Sequence, residues 1–467
     1  MQPRTKRLPI PGIRFDGWII TVIICAISVL LWLRINPLSS LFVGDFSSIM
    51  LAWGRLTGIV GMIMYALNLI YSTRLRFLED LFGGLNRVYI AHHILGGLAL
   101  ILLCFHPLFL SLQYVSTSLR DAGFLLIPHD LVPISALFDT GSNFHADVLQ
   151  QWAIFWGIVA FWGMVILLTI TFFVKLPYQI WLFTHKFLGP AFFLAGLHVL
   201  FIRSDTSASA LLKYYIMLIT LLGIVAFVYR TLMPKILIRR YQYQVMGVNM
   251  QNSSVAKIIM QPRQAVMSYK PGQFVFIRFI KSGVKEITNE WHPFSISSTP
   301  GGGSLEITAK ALGDFSGGLS KLSPGTVAEI EGAYGRFTYT NYKNLNQIWI
   351  AGGIGITPFL SMAKSLPAGG YSIDLYYSVK SESELVEWQQ LADIAMSRNG
   401  NFRLIPFVSD VQKGFLDTKF MLQYSKDFRG KEIFICGPPP MMKSIKGQLL
   451  KSGVDKKNIH SEEFAMS

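Results

Sequence analysis

The sequence predicts a multidomain protein: a bundle of six membrane-spanning helices, then a soluble half made of a small antiparallel β-barrel and a doubly wound α/β domain. Three observations carry that reading. The long apolar runs lie before residue 233. The later part is polar and punctuated by glycine and proline. Within it, short β-rich segments give way near residue 346 to strands alternating with helices, which is the pattern of a parallel sheet. The expected divisions are a cytoplasmic N-terminus over 1–16, the bundle over 17–235, the barrel over 240–345 and the α/β domain over 346–467.

The composition narrows the class. Of 467 residues, 51% are apolar and 15% charged. A soluble globular chain carries about 25% charged residues, so disorder and an ordinary cytosolic enzyme both fit poorly. The formal net charge is +15, but no basic stripe marks the C-terminal half. The excess Lys and Arg therefore reads as the cytoplasmic bias of a membrane protein, not as a nucleic-acid surface. Three cysteines, Cys25, Cys104 and Cys436, supply neither a disulfide framework nor a Cys-rich zinc site.

A spanning helix needs about 20 mainly apolar residues, and six runs qualify: 17–35, 48–71, 88–114, 148–174, 180–202 and 211–232. The first follows Arg4, Lys6, Arg7 and Arg14; lacking a small-residue cleavage site, it reads as an uncleaved anchor. Alternate loops set the orientation. The N-terminus, the loop with Arg74, Arg76 and Arg87, the loop with Lys175 and Lys186, and the segment with Lys235, Arg239 and Arg240 fall on one side. The other side holds Arg34, Arg120, Arg203 and Lys213. The richer side is cytoplasmic, so both termini and the soluble half are expected inside a cell (inner or plasma) membrane. The longest outer loop, 115–147, carries Asp121, His129, Asp130, Asp139, His145 and Asp147.

Ionisable residues inside a span are expensive and point to function. The third span holds His92, His93 and His106, and the fifth holds His185 and His198. These two helices run in the same direction, so His92 and His185 lie near the cytoplasmic end, with His106 and His198 near the outer end. The separations cover roughly 20 Å at about 1.5 Å per residue. Two layers of facing imidazoles follow, suited to axial ligation of two b-type haems. A histidine proton relay is the rival reading, and a single buried histidine is also an ordinary core residue. On an ideal helix His92 and His106 differ by about −40°, whereas His93 and His106 differ by about −140°, so His92 is preferred as the inner ligand. The same arithmetic misaligns His185 and His198; Gly189-Pro190 is expected to supply the kink that realigns them. Arg55, near the outer end of the second span, reads as an interfacial arginine or as a cation beside the outer haem. There it would pair with a propionate or stabilise a reduced anionic acceptor.

In the soluble half, Val275–Ile280 follows Lys270-Pro271-Gly272-Gln273, and Trp291–Ser298 reads as a further strand. After residue 346, Gln347–Ile350 runs into Ala351-Gly352-Gly353-Ile354-Gly355-Ile356-Thr357-Pro358 and a helix. Strands 373–379, 402–408 and 432–436 follow, with a helix near 383–397. Glycines directly between strand and helix let the backbone approach a pyrophosphate, whose charge the helix N-terminus stabilises; a packed turn has the same look. Gly437-Pro438, after a later strand, falls on the same carboxyl edge, where ligands bind. Lys380 is placed to meet an adenosine 2′-phosphate, or is simply solvated.

Taken in order, these residues resemble the ferric reductase and NADPH oxidase superfamily from the second span to the C-terminus. The soluble half is similar to a ferredoxin-NADP reductase module. The family's HPF[ST] flavin strand is matched by His292-Pro293-Phe294-Ser295, preceded by Glu290-Trp291, and its flavin-pyrophosphate turn by Leu312-Gly313-Asp314-Phe315-Ser316. Its G-P-[FY]-G segment appears as Gly332-Ala333-Tyr334-Gly335, with alanine for proline, and its C-G-P turn as Cys436-Gly437-Pro438. Phe464 matches the aromatic residue that stacks on the isoalloxazine ring. Arg55 resembles an arginine held near the outer haem. With no EF-hand loops and no long N-terminal extension, the chain is similar to short bacterial members.

The resemblance implies FAD, two haem b groups and NADPH, with NADH as the alternative nucleotide. Flavin contacts would come from His292, Pro293, Phe294, Ser295, Gly313 and Ser316. Nucleotide contacts would come from Gly352, Gly353, Gly355, Thr357, Pro358, Lys380, Cys436, Gly437 and Pro438. Haem ligands would be His92, His106, His185 and His198. The implied activity is electron transfer from cytoplasmic NADPH through FAD and the haems to an acceptor outside. Ser295 would hydrogen-bond flavin N5, Phe464 would yield its place to the nicotinamide, Cys436 would shape the hydride-transfer pocket, and Arg55 would act at the acceptor. Oxygen, giving superoxide, is the favoured acceptor; a ferric chelate bound by the outer-loop Asp and His residues is the alternative, and a periplasmic redox protein a third. A nucleotide-regulated transporter built on the histidines is the non-enzymatic reading. Beyond the lipid membrane, neither nucleic acid nor an obligatory protein partner is expected.

Overall fold

The computed structural model describes residues 17–127 and 142–462, with the backbone alone for 142–147 and for Tyr178. The chain divides into two units, Met1–Ile238 and Arg239–Ser467.

The first unit is helical: α1 (Gly17–Leu33), α2 (Phe46–Tyr71), α3 (Leu85–Leu112), α4 (Ser142–Phe173), α5 (Tyr178–Lys186), α6 (Leu188–Phe201) and α7 (Ala210–Phe227). Among the described residues, five stretches are long and apolar enough to cross a membrane: Phe46–Tyr71, Leu85–Leu112, Val148–Phe173, Gln179–Phe201 and Ala210–Leu232. Gly17–Leu33 is a further apolar helix of 17 residues. Val22, Ile101, Ile166, Leu218 and Val225 lie exposed on the outside, where a soluble helix would carry charge; lipid is the solvent that suits them. Small residues bring helices close, as is usual within membranes. A Cβ at Gly54 would stand 2.8 Å from Leu110, and one at Gly61 would stand 2.8 Å from Leu103, so α2 and α3 pack along a glycine stripe.

The fifth span is broken, and the break falls at Phe187, between α5 and α6. The kink expected at Gly189-Pro190 therefore lies slightly upstream. Proline lacks the N–H that would bond the carbonyl four residues earlier, here that of Lys186, so the helix ends at Lys186 and restarts at Leu188. The Tyr65 hydroxyl of α2 donates to the Leu188 carbonyl at 2.7 Å and ties this junction down.

The second unit opens with six antiparallel strands, β1 (Tyr241–Asn252), β2 (Val255–Pro262), β3 (Phe274–Ile280), β4 (His292–Ser295), β5 (Leu305–Lys310) and β6 (Val327–Tyr334). Their order is β4-β3-β6-β1-β2-β5, and a bridge between Ile296 and Ile307 joins the two ends. The sheet thus closes into a barrel around Val245, Ile258, Ile277, Ile307 and Ile330. Next come β7 (Asn346–Gly352), β8 (Ser372–Val379), β9 (Phe402–Val408), β10 (Glu432–Cys436) and β11 (Ile459–Glu462). They form a parallel sheet of order β11-β10-β7-β8-β9, carrying helices α8 (Thr357–Lys364), α9 (Trp388–Ser397) and α10 (Pro439–Lys451). Both faces are buried, as a parallel sheet requires: Trp349, Leu375 and Phe434 pack on one side, Ile348, Ile350 and Ile433 on the other.

A buried ionic quartet joins barrel and sheet. Lys257 of β2 lies 3.2 Å from both Glu306 and Glu387, and Lys364 of α8 lies 3.1 Å from Glu387 and 3.5 Å from Glu306. The Lys364 ammonium also donates to the Ser297 carbonyl at 3.1 Å. Glu387 is 4% exposed, so neutralising it would leave two buried lysines short of a partner. Glu387→Gln is expected to destabilise this unit by about 3–5 kcal/mol, read as a lower unfolding temperature of the full chain; an unchanged midpoint would show the quartet to be dispensable.

Candidate functional site

Four imidazoles stand in two facing pairs on α3 and the broken fifth span. The ring centroids of His92 and His185 are 6.3 Å apart, and those of His106 and His198 are 6.2 Å apart. His93 lies beside His92, 5.7 Å between centroids, and is exposed. The preference for His92 rested on helix angle, and it is His92 whose ring meets His185.

Each ring is held from behind. His92 Nδ1 lies 3.0 Å from the Asn68 carbonyl, His106 Nδ1 lies 2.7 Å from the Gly54 carbonyl, and His198 Nδ1 lies 2.9 Å from the Ala153 carbonyl. A carbonyl only accepts, so these Nδ1 atoms carry the proton and leave the Nε2 lone pair for a ligand. His185 is fixed differently: its Nδ1 is 3.5 Å from the Thr171 hydroxyl, and its ring stacks on Trp181. In the outer pair glycine makes the room. A Cβ at Gly58 would stand 2.5 Å from His106 Nδ1, and one at Gly157 would stand 2.6 Å from His198 Nδ1. Both glycines lie one helical turn beyond the carbonyl that accepts the bond.

This arrangement fits haem. With metal–imidazole bonds of about 2.0–2.1 Å, two rings bound to one ion from opposite sides have centroids about 6 Å apart. Among the described residues, no group of three or more His, Cys, Asp or Glu side chains could hold a metal ion by itself. The His106/His198 pair opens on a cavity of about 430 Å³, lined by Gly58, Gly157, Gln113, Gln150 and Met164 and by the ionic residues Arg55, Arg203 and Asp205. Arg55 Nη1 is 2.6 Å from Asp205 Oδ1. Of the expected outer-loop ligands, His129, Asp130 and Asp139 lie outside the described residues, as do the side chains of His145 and Asp147.

On β4, two polar atoms suit a flavin. Ser295 Oγ is buried without a hydrogen-bond partner among the described residues, a costly state unless a ligand supplies one; His292 Nε2 makes no hydrogen bond there but lies 3.6 Å from Glu290 Oε2. The His292 ring stacks on Phe315 at 3.6 Å. Burial pushes the His292 imidazole below its usual range, opposed by the Glu290 carboxylate. In the neighbouring turn, Ser316 Oγ accepts from the Leu312 and Gly313 amides at 2.9 and 3.0 Å. Pro293 and Phe294 continue the strand opposite Phe276 and Val275.

The nucleotide loops meet at the carboxyl ends of β7 and β10, where the strand order reverses, the usual ligand crevice of such sheets. Their backbones touch: a Cβ at Gly355 would stand 2.3 Å from the Cys436 carbonyl oxygen, and one at Gly437 would stand 3.0 Å from Gly352 Cα. Gly353 has φ +52° and open space in front of its missing Cβ. Thr357 and Pro358 begin α8, with the Thr357 hydroxyl bonded to the Ile354 carbonyl at 3.0 Å. Pro438 caps α10 and Lys380 lies exposed just past β8, on the same edge. Cys436 is fully buried in the core of the sheet; burial, reinforced by the Glu462 carboxylate, pushes its thiol well above the ordinary range. A thiol buried in this way is a poor nucleophile. Phe464 lies outside the described residues.

Three features escaped the sequence reading: Asp205, the carbonyl partners of the histidines, and Gly58 with Gly157. The glycines had a signal, since Gly54, Gly58 and Gly61 form a small-residue stripe at helical spacing on α2.

Two outcomes follow from this geometry. Gly355→Ala should cost about 1–3 kcal/mol, because its methyl would meet backbone and not a yielding side chain; denaturant unfolding measures it. A maleimide at pH 8 should leave Cys436 unmodified in the folded protein and label it after unfolding, as peptide mass spectrometry would read; labelling of the native protein would contradict the burial.

Comparison with known proteins agrees with this layout. Three family profiles match in succession: "Ferric reductase like transmembrane component" over residues 57–196, "FAD-binding domain" over 240–344 and "Oxidoreductase NAD-binding domain" over 349–447. The glycine betaine monooxygenase reductase subunit of Pseudomonas aeruginosa is 29% identical over 210 residues, 42% of this chain and 56% of that one. The flavohemoprotein of Halalkalibacterium halodurans is 26% identical over 240 residues, 46% of this chain and 57% of that one. The chain thus spans a little over half the length of these relatives. Among solved structures, the cytochrome b5 reductase domain of Ulva prolifera nitrate reductase aligns with TM-score 0.43 and 20% identity, over 48% of this chain and 97% of that one. The three profiles in this order are the ferric reductase/NADPH oxidase-like architecture, and the chain is a membrane-anchored, flavin- and NAD(P)-dependent oxidoreductase of the ferric reductase-like family.

Proposed function

We propose that this chain moves electrons across a cell membrane, from cytoplasmic NADPH to oxygen on the far side, one NADPH and two O2 yielding NADP+, a proton and two superoxide ions. The observation that carries the reading is the pair of facing histidine couples, each about the width of one ligated metal. FAD and b-type haem supply the redox chemistry when bound, the flavin accepting a hydride and the haems single electrons.

The chain's own residues do the rest. Gly352, Gly353, Gly355 and Gly437 admit the nucleotide backbone to the crevice, and Lys380 offers charge for a 2′-phosphate. The Ser295 hydroxyl, which makes no hydrogen bond among the described residues, can bond a flavin ring nitrogen, and His292 and Ser316 order the flavin side of the barrel. His92 and His185 would hold the inner haem, His106 and His198 the outer one. Arg55, paired with Asp205, keeps guanidinium N–H donors where a reduced acceptor would carry negative charge. A second reading has specific support: Arg203 lines the outer cavity beside the Arg55–Asp205 pair, and a cation there suits an anionic ferric chelate.

NADPH consumption by purified protein, followed with oxygen and with ferric chelate, with and without superoxide dismutase, separates these readings. Superoxide-dependent reduction of a reporter dye is expected with oxygen; consumption with ferric chelate alone would favour the second reading, and consumption with neither would remove both. His198→Ala should lower haem content from two to one per chain while NADPH still bleaches the flavin. Gly157→Ala should act in the same direction, through its methyl against His198 Nδ1. Arg55→Ala should keep both haems and slow superoxide formation by about tenfold or more; an unchanged rate would discard that role.

A further inference from the structure

Asp205 sits where three elements meet. Its Oδ2 accepts from the Trp32 indole Nε1 at 2.8 Å and from Asn36 Nδ2 at 3.2 Å. Its Oδ1 accepts from Arg55 Nη1 at 2.6 Å. The carboxylate therefore links the end of α1, the outer turn of α2 and the segment after α6. Its side chain is 10% exposed, and that of Arg55 is 34% exposed. Trp32, Asn36, Arg55 and Asp205 all fall outside the stretch matched by the transmembrane profile, 57–196.

The charge of the outer cavity follows from this contact. Its ionic lining among the described residues is Arg55, Arg203 and Asp205. A lone arginine on the wall would attract any anion. Held 2.6 Å from a carboxylate, it presents a dipole, whose field falls off far faster than that of a charge. The two other bonds to Asp205 hold the carboxylate in place, so Arg55 cannot swing toward the cavity without breaking a bond to a fixed partner. A neutral acceptor loses nothing by this arrangement. An anionic one loses the attraction that a free guanidinium would supply.

We infer that Asp205 is a positioning residue that pins Arg55 to the cavity wall and masks its charge, so that the outer cavity selects a neutral electron acceptor over polycarboxylate chelates of ferric iron. The inference rests on the proposed outward electron transfer, but anion binding tests it without turnover.

Citrate, a redox-inert polyanion, is the probe. Its binding to the oxidised full-length protein in lipid nanodiscs can be followed by isothermal titration calorimetry at low ionic strength. Asp205→Asn keeps an oxygen for the Trp32 and Asn36 bonds, and it removes both the charge and the oxygen that accepts from Arg55, replacing the latter with an amide donor. It should bind citrate about tenfold more tightly than the native protein, and this gain should vanish in about 1 M salt, where the Debye length is about 3 Å. KM for ferric citrate should fall in parallel, with the KM for neutral oxygen unchanged. In an Arg55→Gln background most of the gain should disappear, since a carboxylate that merely repels citrate would act equally in both backgrounds. Asp205→Ser, which removes the charge with a shorter side chain, is the second variant and carries the same expectations.

Unchanged citrate affinity in both variants, or an equal gain with and without Arg55, would overturn the inference while leaving haem content and NADPH-driven turnover intact. Conversely, native protein that consumes no NADPH would remove the proposed function and still leave the citrate comparison readable.

Discussion

The membrane half is organised by one interaction: an imidazole N–H given to a main-chain carbonyl of the neighbouring helix. Helical carbonyls are normally occupied by the amide one turn later, so a side chain reaches them most readily at a helix end, as at Asn68, or where the next turn is bare. Gly54 with Gly58, and Ala153 with Gly157, supply that combination of carbonyl and missing side chain on two different helices. The bond fixes the tautomer and aims Nε2 at the opposite ring. The broken fifth span follows from the same need. A continuous helix could not aim His185 and His198 at two partners on α3, and Pro190 withholds the donor whose absence lets the helix stop at Lys186.

The soluble half solves a different problem, the meeting of two ligands at one crevice. Closure of the barrel through Ile296 and Ile307 sets β4 rigidly beside β3. Adjacent pairing of β7 with β10 brings two glycine loops into backbone contact. Between them, the quartet of Lys257, Glu306, Lys364 and Glu387 joins barrel to sheet with charges that are costly to separate once buried. On β4 the Ser295 hydroxyl is buried without a hydrogen bond among the described residues, which is where a ligand with polar ring atoms would be expected to sit.

Much of this was legible in the sequence, for physical reasons. Hydropathy reports burial in lipid directly, and a 13- or 14-residue spacing on a helix translates into depth, so the spans and the two histidine layers could be read. The strand–glycine–helix order of 347–358 is local chemistry and could be read as well. What could not be read depends on partners far along the chain. Asp205 looks like an ordinary loop acid until Trp32, Asn36 and Arg55 converge on it across 150 residues or more. Glu387 is unremarkable until α8 brings Lys364 beside it. The carbonyl partners of the histidines leave no mark in side-chain identity at all; the glycines that expose them do, at Gly58 and Gly157.

Paramagnetic resonance of the oxidised, detergent-purified protein, calibrated against a pyridine haemochrome assay, tests the central claim most directly. Two b-type haems per polypeptide, both low-spin with the signature of paired imidazole ligands, are the expected result. A single porphyrin, none, or a high-spin iron with an open axial position in the native protein would contradict the paired-histidine arrangement and the electron path built on it.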